Sequence, residues 1–308
     1  MKYEGQKFSW FVAFCLLLSA LCLPAGGAGA TDRGTGLVLL KEAVGPRSAG
    51  MGGAGVALTG DQVAGGENPG ALAALRGRDF LLTHHELFAG IRQEYVGAAF
   101  GNGRRGVGFG FAVRTAGGLE RRVGPSAQPL GTFNVYDADF SVRYAQRVAG
   151  VDVGFGFRGI HETVEADGAS GVAVDLGGVA RTPVPHLSVG VALRNLGKMG
   201  ALNRVAIRLP LSLRAGAVYR SEFASARDHL LIALEMDFPR DGDAIFRGGA
   251  EYGWRRLLAV RVGYEAGRDA QGASFGFGIQ RRGLRFDYAL TPYRYGLGNA
   301  HRVSIGFR

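Results

Sequence analysis

From Asp79 to the C-terminus, apolar side chains fall on every second residue, with small or charged ones between them. In residues 106–114, Val107, Phe109, Phe111 and Val113 alternate with Gly108, Gly110, Ala112 and Arg114. The same period runs through Val153, Phe155 and Phe157, through Phe275, Phe277 and Ile279, and through Leu284, Phe286, Tyr288 and Leu290. Successive side chains of a strand point to opposite faces, so this period predicts strands with one apolar face; no helix would gather these residues on one side.

Fourteen such segments can be drawn: 79–87, 92–101, 104–114, 135–147, 151–161, 171–181, 186–195, 210–220, 228–238, 243–252, 256–266, 272–280, 283–291 and 299–308. Each is near the length at which a tilted strand crosses a bilayer. The final one sets Val303, Ile305 and Phe307 against Arg302, Ser304 and Gly306, as expected of the closing strand of an outer-membrane barrel. Connections after odd-numbered segments total 63 residues and those after even-numbered ones 21, the parity of a barrel with short periplasmic turns and longer outer loops. The expected fold is all-β: a 14-stranded antiparallel transmembrane β-barrel over residues 79–308.

The polar face sets what lies inside. Hydrocarbon solvates neither charge nor free backbone, so the apolar positions face lipid and the others face the lumen. Among the expected lumenal charges are Asp137, Arg143, Asp152, Arg158, Arg194, Arg214 and Glu251. Both signs are plentiful, which predicts paired charges instead of a one-sign lining. Glycine and alanine fill most other inward positions and leave room in the bore, which the chain's own N-terminal segment would take.

The start of the chain agrees with export. Lys2 and Lys7 precede an apolar run over 8–23, and Ala28-Gly29-Ala30 offers small residues at a cleavage point, so residues 1–30 read as a signal peptide. Both cysteines, Cys15 and Cys22, lie within it, so the remaining chain has no thiol for a disulfide or metal site. The charge of +10 falls to +9 once Lys2, Lys7 and Glu4 leave. A basic chain raises nucleic acid as a partner, but its arginines are spread over the whole length without a tract, and export removes it; outer-membrane lipid and anionic lipopolysaccharide are better placed. Fifty-two glycines without a three-residue period, and with scarce proline, exclude collagen and argue against a disordered linker.

Residues 31–78 do not alternate. Residues 45–58 read Gly-Pro-Arg-Ser-Ala-Gly-Met-Gly-Gly-Ala-Gly-Val-Ala-Leu, and residues 67–73 read Glu-Asn-Pro-Gly-Ala-Leu-Ala. This pair of motifs resembles the PorV/PorQ family of FadL-like outer-membrane proteins, with alanine and glycine exchanged after Asn68-Pro69. The resemblance implies a barrel plugged by an N-terminal hatch, with Gly50, Met51, Gly52, Gly53, Asn68, Pro69 and Gly70 shaping it. Glycine tolerates positive φ and close backbone approach, and Asn68-Pro69 suits a turn, so the residues themselves allow a wedged segment. A periplasmic linker with ordinary turns is the alternative.

Several sharper chemistries fail on inspection. Gly50-x-Gly52-x-x-Gly55 matches a dinucleotide fingerprint, but no βαβ unit follows. His84 and Glu86 share a strand face, yet no third metal ligand is evident. His161, His186, His229 and His301 have no serine motif beside them, so no enzyme activity and no cofactor are expected. Three functions stay open. The first is hatch-gated passage of hydrophobic or amphipathic solutes, with the 115–134 loop collecting them. The second, implied by PorV-type relatives, is docking of secreted proteins or secretion-system partners on the 115–134 and 196–209 loops. The third is an open anion-preferring pore.

Overall fold

The computed structural model describes residues 35–308 apart from Ser126 and residues 224–226; the expected leader and its cleavage point lie outside them. Fourteen antiparallel strands close into one barrel. The first half comprises β1 (Arg76–Glu86), β2 (Ile91–Asn102), β3 (Arg105–Arg121), β4 (Gly131–Val148), β5 (Val151–Val164), β6 (Asp167–Arg181) and β7 (Leu187–Met199). A small ribbon follows, β8 (Ala201–Leu202) with β9 (Val205–Ala206). The second half comprises β10 (Ser212–Phe223), β11 (Asp228–Pro239), β12 (Ile245–Trp254), β13 (Leu258–Ala266), β14 (Ala273–Arg281), β15 (Leu284–Pro292) and β16 (Asn299–Phe307).

Each barrel strand pairs with its chain neighbours, and β1 closes on β16 with Phe80 opposite Phe307 and Glu86 opposite His301. Closure leaves no edge in lipid, where an unpaired backbone group would cost several kcal/mol. The pleat sorts side chains as the alternation requires. Leu82, Phe140, Phe155, Val260 and Ile305 stand about half exposed on the outside, while Arg143, Glu235, Arg247 and Glu251 are buried within.

Short connections gather at one end, where β1 starts and β16 stops. Ala149 and Gly150 both have positive φ (50° and 88°), as do Arg282 and Gly283 (51° and 85°). Two successive left-handed residues match the right-handed twist of the flanking strands, which is how a two-residue hairpin closes. We call this the turn end. The opposite, loop end is the outer face in barrels of this class.

The expected 115–134 loop is shorter than the alternation suggests. β3 and β4 continue past a bulge between Ala116 and Leu119, with Leu119 opposite Phe133 and Arg121 opposite Gly131. The expected 196–209 loop likewise contains the end of β7 and the β8–β9 ribbon. The physical reason is the same in both. Beyond the bilayer the backbone ladder continues, but nothing selects apolar residues on alternate positions.

Residues 35–75 fill the bore. They begin at the loop end, where Gly36 N donates to Arg208 O (3.0 Å). They pass the middle of β12 to β15 and reach the turn end, where the 3-10 turn Pro69–Ala74 packs against β4, β5 and β6.

Candidate functional site

The plug is built where small residues face small residues. Pro46 opens a single helical turn, Pro46–Ala49, with its fixed φ at a position whose N–H would have no partner. Gly50 follows against Gly276 of β14; a Cβ on Gly50 would stand 3.1 Å from the Gly276 Cα. Gly52 and Gly53 take left-handed φ (70° and 82°), which bends the chain along the wall. Gly52 lies on the Tyr264 backbone, and the fully buried Met51 covers Gly249 and Gly263. The Gly53 carbonyl accepts from Arg214 Nη2 (3.0 Å).

A second knot closes the turn end. The Asp61 carboxylate accepts from Ala64 N (2.7 Å) and so caps the helix Gln62–Glu67. Asn68 Nδ2 donates to Val56 O (2.7 Å) and to Gly178 O on the wall (3.0 Å), while its Oδ1 accepts from Gly70 N (3.0 Å). Pro69 starts the 3-10 turn, and Gly70 is pressed against the Asp152 carbonyl and the Gly178 Cα. The expected motif residues Gly50, Met51, Gly52, Gly53, Asn68, Pro69 and Gly70 thus form two separate contact points, one at mid-barrel and one at the turn end.

Ion pairs join plug to wall along the whole bore. Near the loop end Glu42 meets Arg302 (2.7 Å) and Arg268 (3.0 Å), and Lys41 meets Asp241. Lower down, Arg47 donates from two nitrogens to Glu251 (3.0 and 2.8 Å) and from a third to Asp61 (2.9 Å). Glu67 accepts from Arg214 (2.5 Å) and Arg194 (3.2 Å). Glu235 accepts from the plug's Gly55 N and Val56 N (2.8 Å each) while Arg214 and Arg247 neutralise it.

Of the expected lumenal charges, Arg194, Arg214 and Glu251 therefore hold the plug. The others pair within the wall: Arg158 with Asp175 (2.9 Å), Asp137 with Arg114 (2.8 Å), Asp152 with Arg147 (2.6 Å). Arg143 donates to the Tyr95 hydroxyl (3.5 Å). Sequence reading missed Glu42, Arg47 and Asp61 as anchors. The one available signal was a charge standing alone in a glycine- and alanine-rich segment, which Arg47 and Glu67 both show.

Burial pushes the carboxyls of Glu42, Asp61 and Glu67 up, yet the guanidiniums around them hold all three below their ordinary values. The partners are Arg268 and Arg302 for Glu42, Arg47 and Arg308 for Asp61, and Arg214 and Arg194 for Glu67. A carboxylate with a depressed folded pKa stabilises above its unfolded pKa and loses that contribution as pH falls through the folded value. The plug is therefore expected to be held at neutral pH and to loosen progressively below the ordinary glutamate value of 4.5. Protease access to residues 35–75 across a pH series checks this, and unchanged access throughout the acid range would remove the ion pairs as its anchor.

At the loop end the plug meets an apolar pocket. Leu37 and Leu40 are buried against Ile160 and Ala173 of the wall and Leu209 of the β7–β10 connection, with Met199 beside them. The wall contributes small and branched apolar side chains here, and the two leucines fill the space between them.

Other candidates resolve differently. His84 Nδ1 lies 2.6 Å from Glu94 of the neighbouring strand and its Nε2 3.5 Å from Glu86. Among the described residues no three ligands converge for a metal. In the Gly50-x-Gly52-x-x-Gly55 run, Gly50 is pressed onto β14 and Gly52 onto β13, and Gly55 N is taken by Glu235 of β11. One reading needs correction: His161 does have a serine beside it, with Nδ1 2.9 Å from Ser170 Oγ across the β5–β6 pair. Its other nitrogen is taken by the Thr163 hydroxyl (3.2 Å), and among the described residues no carboxylate pairs with the ring.

No family model matches this sequence, and no curated protein is similar to it. Solved structures of the same shape include the CymD monoaromatic hydrocarbon channel, with TM-score 0.65 and 14% identity over 89% of this chain and 97% of that one. The Pseudomonas putida toluene transporter TodX has TM-score 0.61 and 12% identity, covering 86% and 96%. The Ralstonia pickettii toluene transporter TbuX has TM-score 0.56 and 14% identity, covering 86% and 97%. At these identities the likeness is one of fold: an antiparallel barrel closed by 14 strands.

Proposed function

We propose that the barrel carries small hydrophobic or amphipathic molecules across the outer membrane, with residues 35–75 as a displaceable plug. The observation that carries this is the apolar pocket at the loop end, occupied by the chain's own Leu37 and Leu40. A hydrophobic solute of that size competes for the same walls, and the plug's remaining bonds are discrete ion pairs and backbone contacts that can break and reform. The solved barrels of this shape named as toluene transporters and a monoaromatic hydrocarbon channel support the solute class. Hatch gating is the mechanism this arrangement fits.

Replacing Leu37 and Leu40 by serine is expected to empty the pocket, since each leucine contributes about 1.5–3 kcal/mol on burial. Uptake of toluene by proteoliposomes should rise, and an environment-sensitive hydrophobic probe should bind more tightly. No flux through either form, with the barrel intact, would sink the reading.

A second reading rests on a separate observation. Val123 (86% exposed) and Leu130 (69%) tip the β3–β4 hairpin, and Val205 (71%) tips the β8–β9 ribbon. Such apolar tips suit a PorV-like docking face for secreted proteins or secretion-system partners; co-purification of exported proteins with a flux-negative barrel would favour it. An open anion pore does not suit this bore, because the plug occupies it and most of its buried arginines have carboxylate partners.

A further inference from the structure

The turn end carries an arc of unpaired arginine. Around the wall β14, β15, β16, β1, β2 and β3 are consecutive neighbours. Their ends at this rim hold Arg281 and Arg282, then Arg76 and Arg78, then Arg104 and Arg105, all exposed. The nearby ion pairs, Arg285 with Asp287 and Arg308 with Asp79, turn toward the lumen. Among the described residues no carboxylate reaches the six.

The loop end is different. Its exposed charges are mixed in sign: Arg92 meets Glu86, Arg121 meets Glu165 and Arg122 meets Glu120, while Lys198, Arg204, Arg240 and Arg294 share that end with Glu94, Asp167, Asp243 and Asp269. The excess at the turn end is therefore a property of that rim and not of the basic chain as a whole.

Position relative to the apolar belt identifies the partner. Arg78, Arg105 and Arg281 share the outward parity of Phe80, Val107 and Ile279, the first belt residues of their strands. The Arg78 guanidinium lies over the outward-facing Phe307 ring at 5.5 Å from its centroid, so it is held on the lipid side. Beside the arc, an open hollow of about 350 Å³ is lined by Asn102, Arg104, Arg105, Gln146 and Arg147. Guanidinium forks match phosphate oxygens two at a time, and the aliphatic stem can lie along apolar surface while the head stays polar.

We propose that this arc binds the phosphate groups of anionic phospholipids in the leaflet at the turn end of the bilayer. The inference takes the membrane-spanning barrel as its premise and is independent of what the barrel carries.

The test uses the full barrel in nanodiscs of phosphatidylcholine with a minor share of phosphatidylglycerol, counting lipids retained on extraction by native mass spectrometry. Several basic side chains face one anionic surface here, so a preference for phosphatidylglycerol of about tenfold or more is expected. The combined variant Arg76→Gln, Arg78→Gln, Arg104→Gln, Arg105→Gln should lose it, and the four lysine equivalents should keep most of it. Heat-modifiable migration confirms that each variant has closed. Equal retention of both lipids by the wild type, or a preference that survives the glutamine substitutions, overturns the proposal. So does loss of heparin binding by the glutamine variant with its retained lipid unchanged, which would point to a soluble polyanion instead.

Discussion

Glu67→Gln is expected to free the plug while the barrel stays closed. Glu67 is almost completely buried and is the shared acceptor for Arg214 and Arg194, themselves buried. Glutamine keeps the shape and removes the charge, which leaves Arg194 without its ion-pair partner and Arg214 with Glu235 alone, which Arg247 also uses. Breaking one side of a buried pair costs about 3–5 kcal/mol, because the orphaned charge stays out of water. That cost falls on the plugged state alone: with the plug out, Arg194 and Arg214 face a hydrated bore. Single-channel recordings should show long open events absent from the wild type, and protease should reach residues 35–75. Migration of the unboiled protein should not change, since the ladder from β1 to β16 does not pass through Glu67. Wild-type conductance and protease resistance in this variant would mean that the glycine contacts, and not the charges, hold the plug.

Gly263→Val tests those contacts from the wall side and should have an effect of the same order. Gly263 faces inward in mid-strand, and a Cβ there would overlap the backbone of Met51 and Gly52. Backbone cannot rotate away as a flexible side chain can, so the usual overpacking cost of about 1–3 kcal/mol is a lower bound here. Valine is also a better strand residue than glycine, so β13 itself gains from the change. The expected signature is therefore split: plug protection lost, barrel thermal stability unchanged or higher. Gly159→Val is the control, because nothing lies within 4 Å of a Cβ at that outward position. A plug equally protected in both variants would show that residues 50–53 do not seat against β13.

The wall was legible from the chain because lipid imposes one rule on it. Every strand must offer an apolar residue on alternate positions for the thickness of the hydrocarbon, so β5, β11 and β16 announce themselves by Phe155, Leu234 or Ile305 without reference to any neighbour. The same rule sorts Asp137, Arg143, Asp152, Arg158, Arg194, Arg214 and Glu251 inward, where all seven are buried. Where the rule lapses, reading fails. The upper parts of β3 and β4 continue by backbone pairing alone, and Gly117, Gly118 and Thr132 carry no belt signal.

Partnership was illegible for a different reason. His161 and Ser170 meet because β5 and β6 pair in one register, and a one-residue slip would separate them. Arg214 finds Glu67 147 positions away in the chain, a match that exists only once the plug has entered the bore. Gly263 and Gly249 look like strand weaknesses in the sequence and become seats only when Met51 lies on them.

By itself the order of residues settles which face of each strand meets lipid and that the bore must contain charge of both signs, because solvation of a side chain is a local property. Which charge meets which, and that the bore is occupied by residues 35–75, are set by the closed barrel. Those contacts depend on strand register and on where the chain re-enters the cylinder, and neither is written in any single segment.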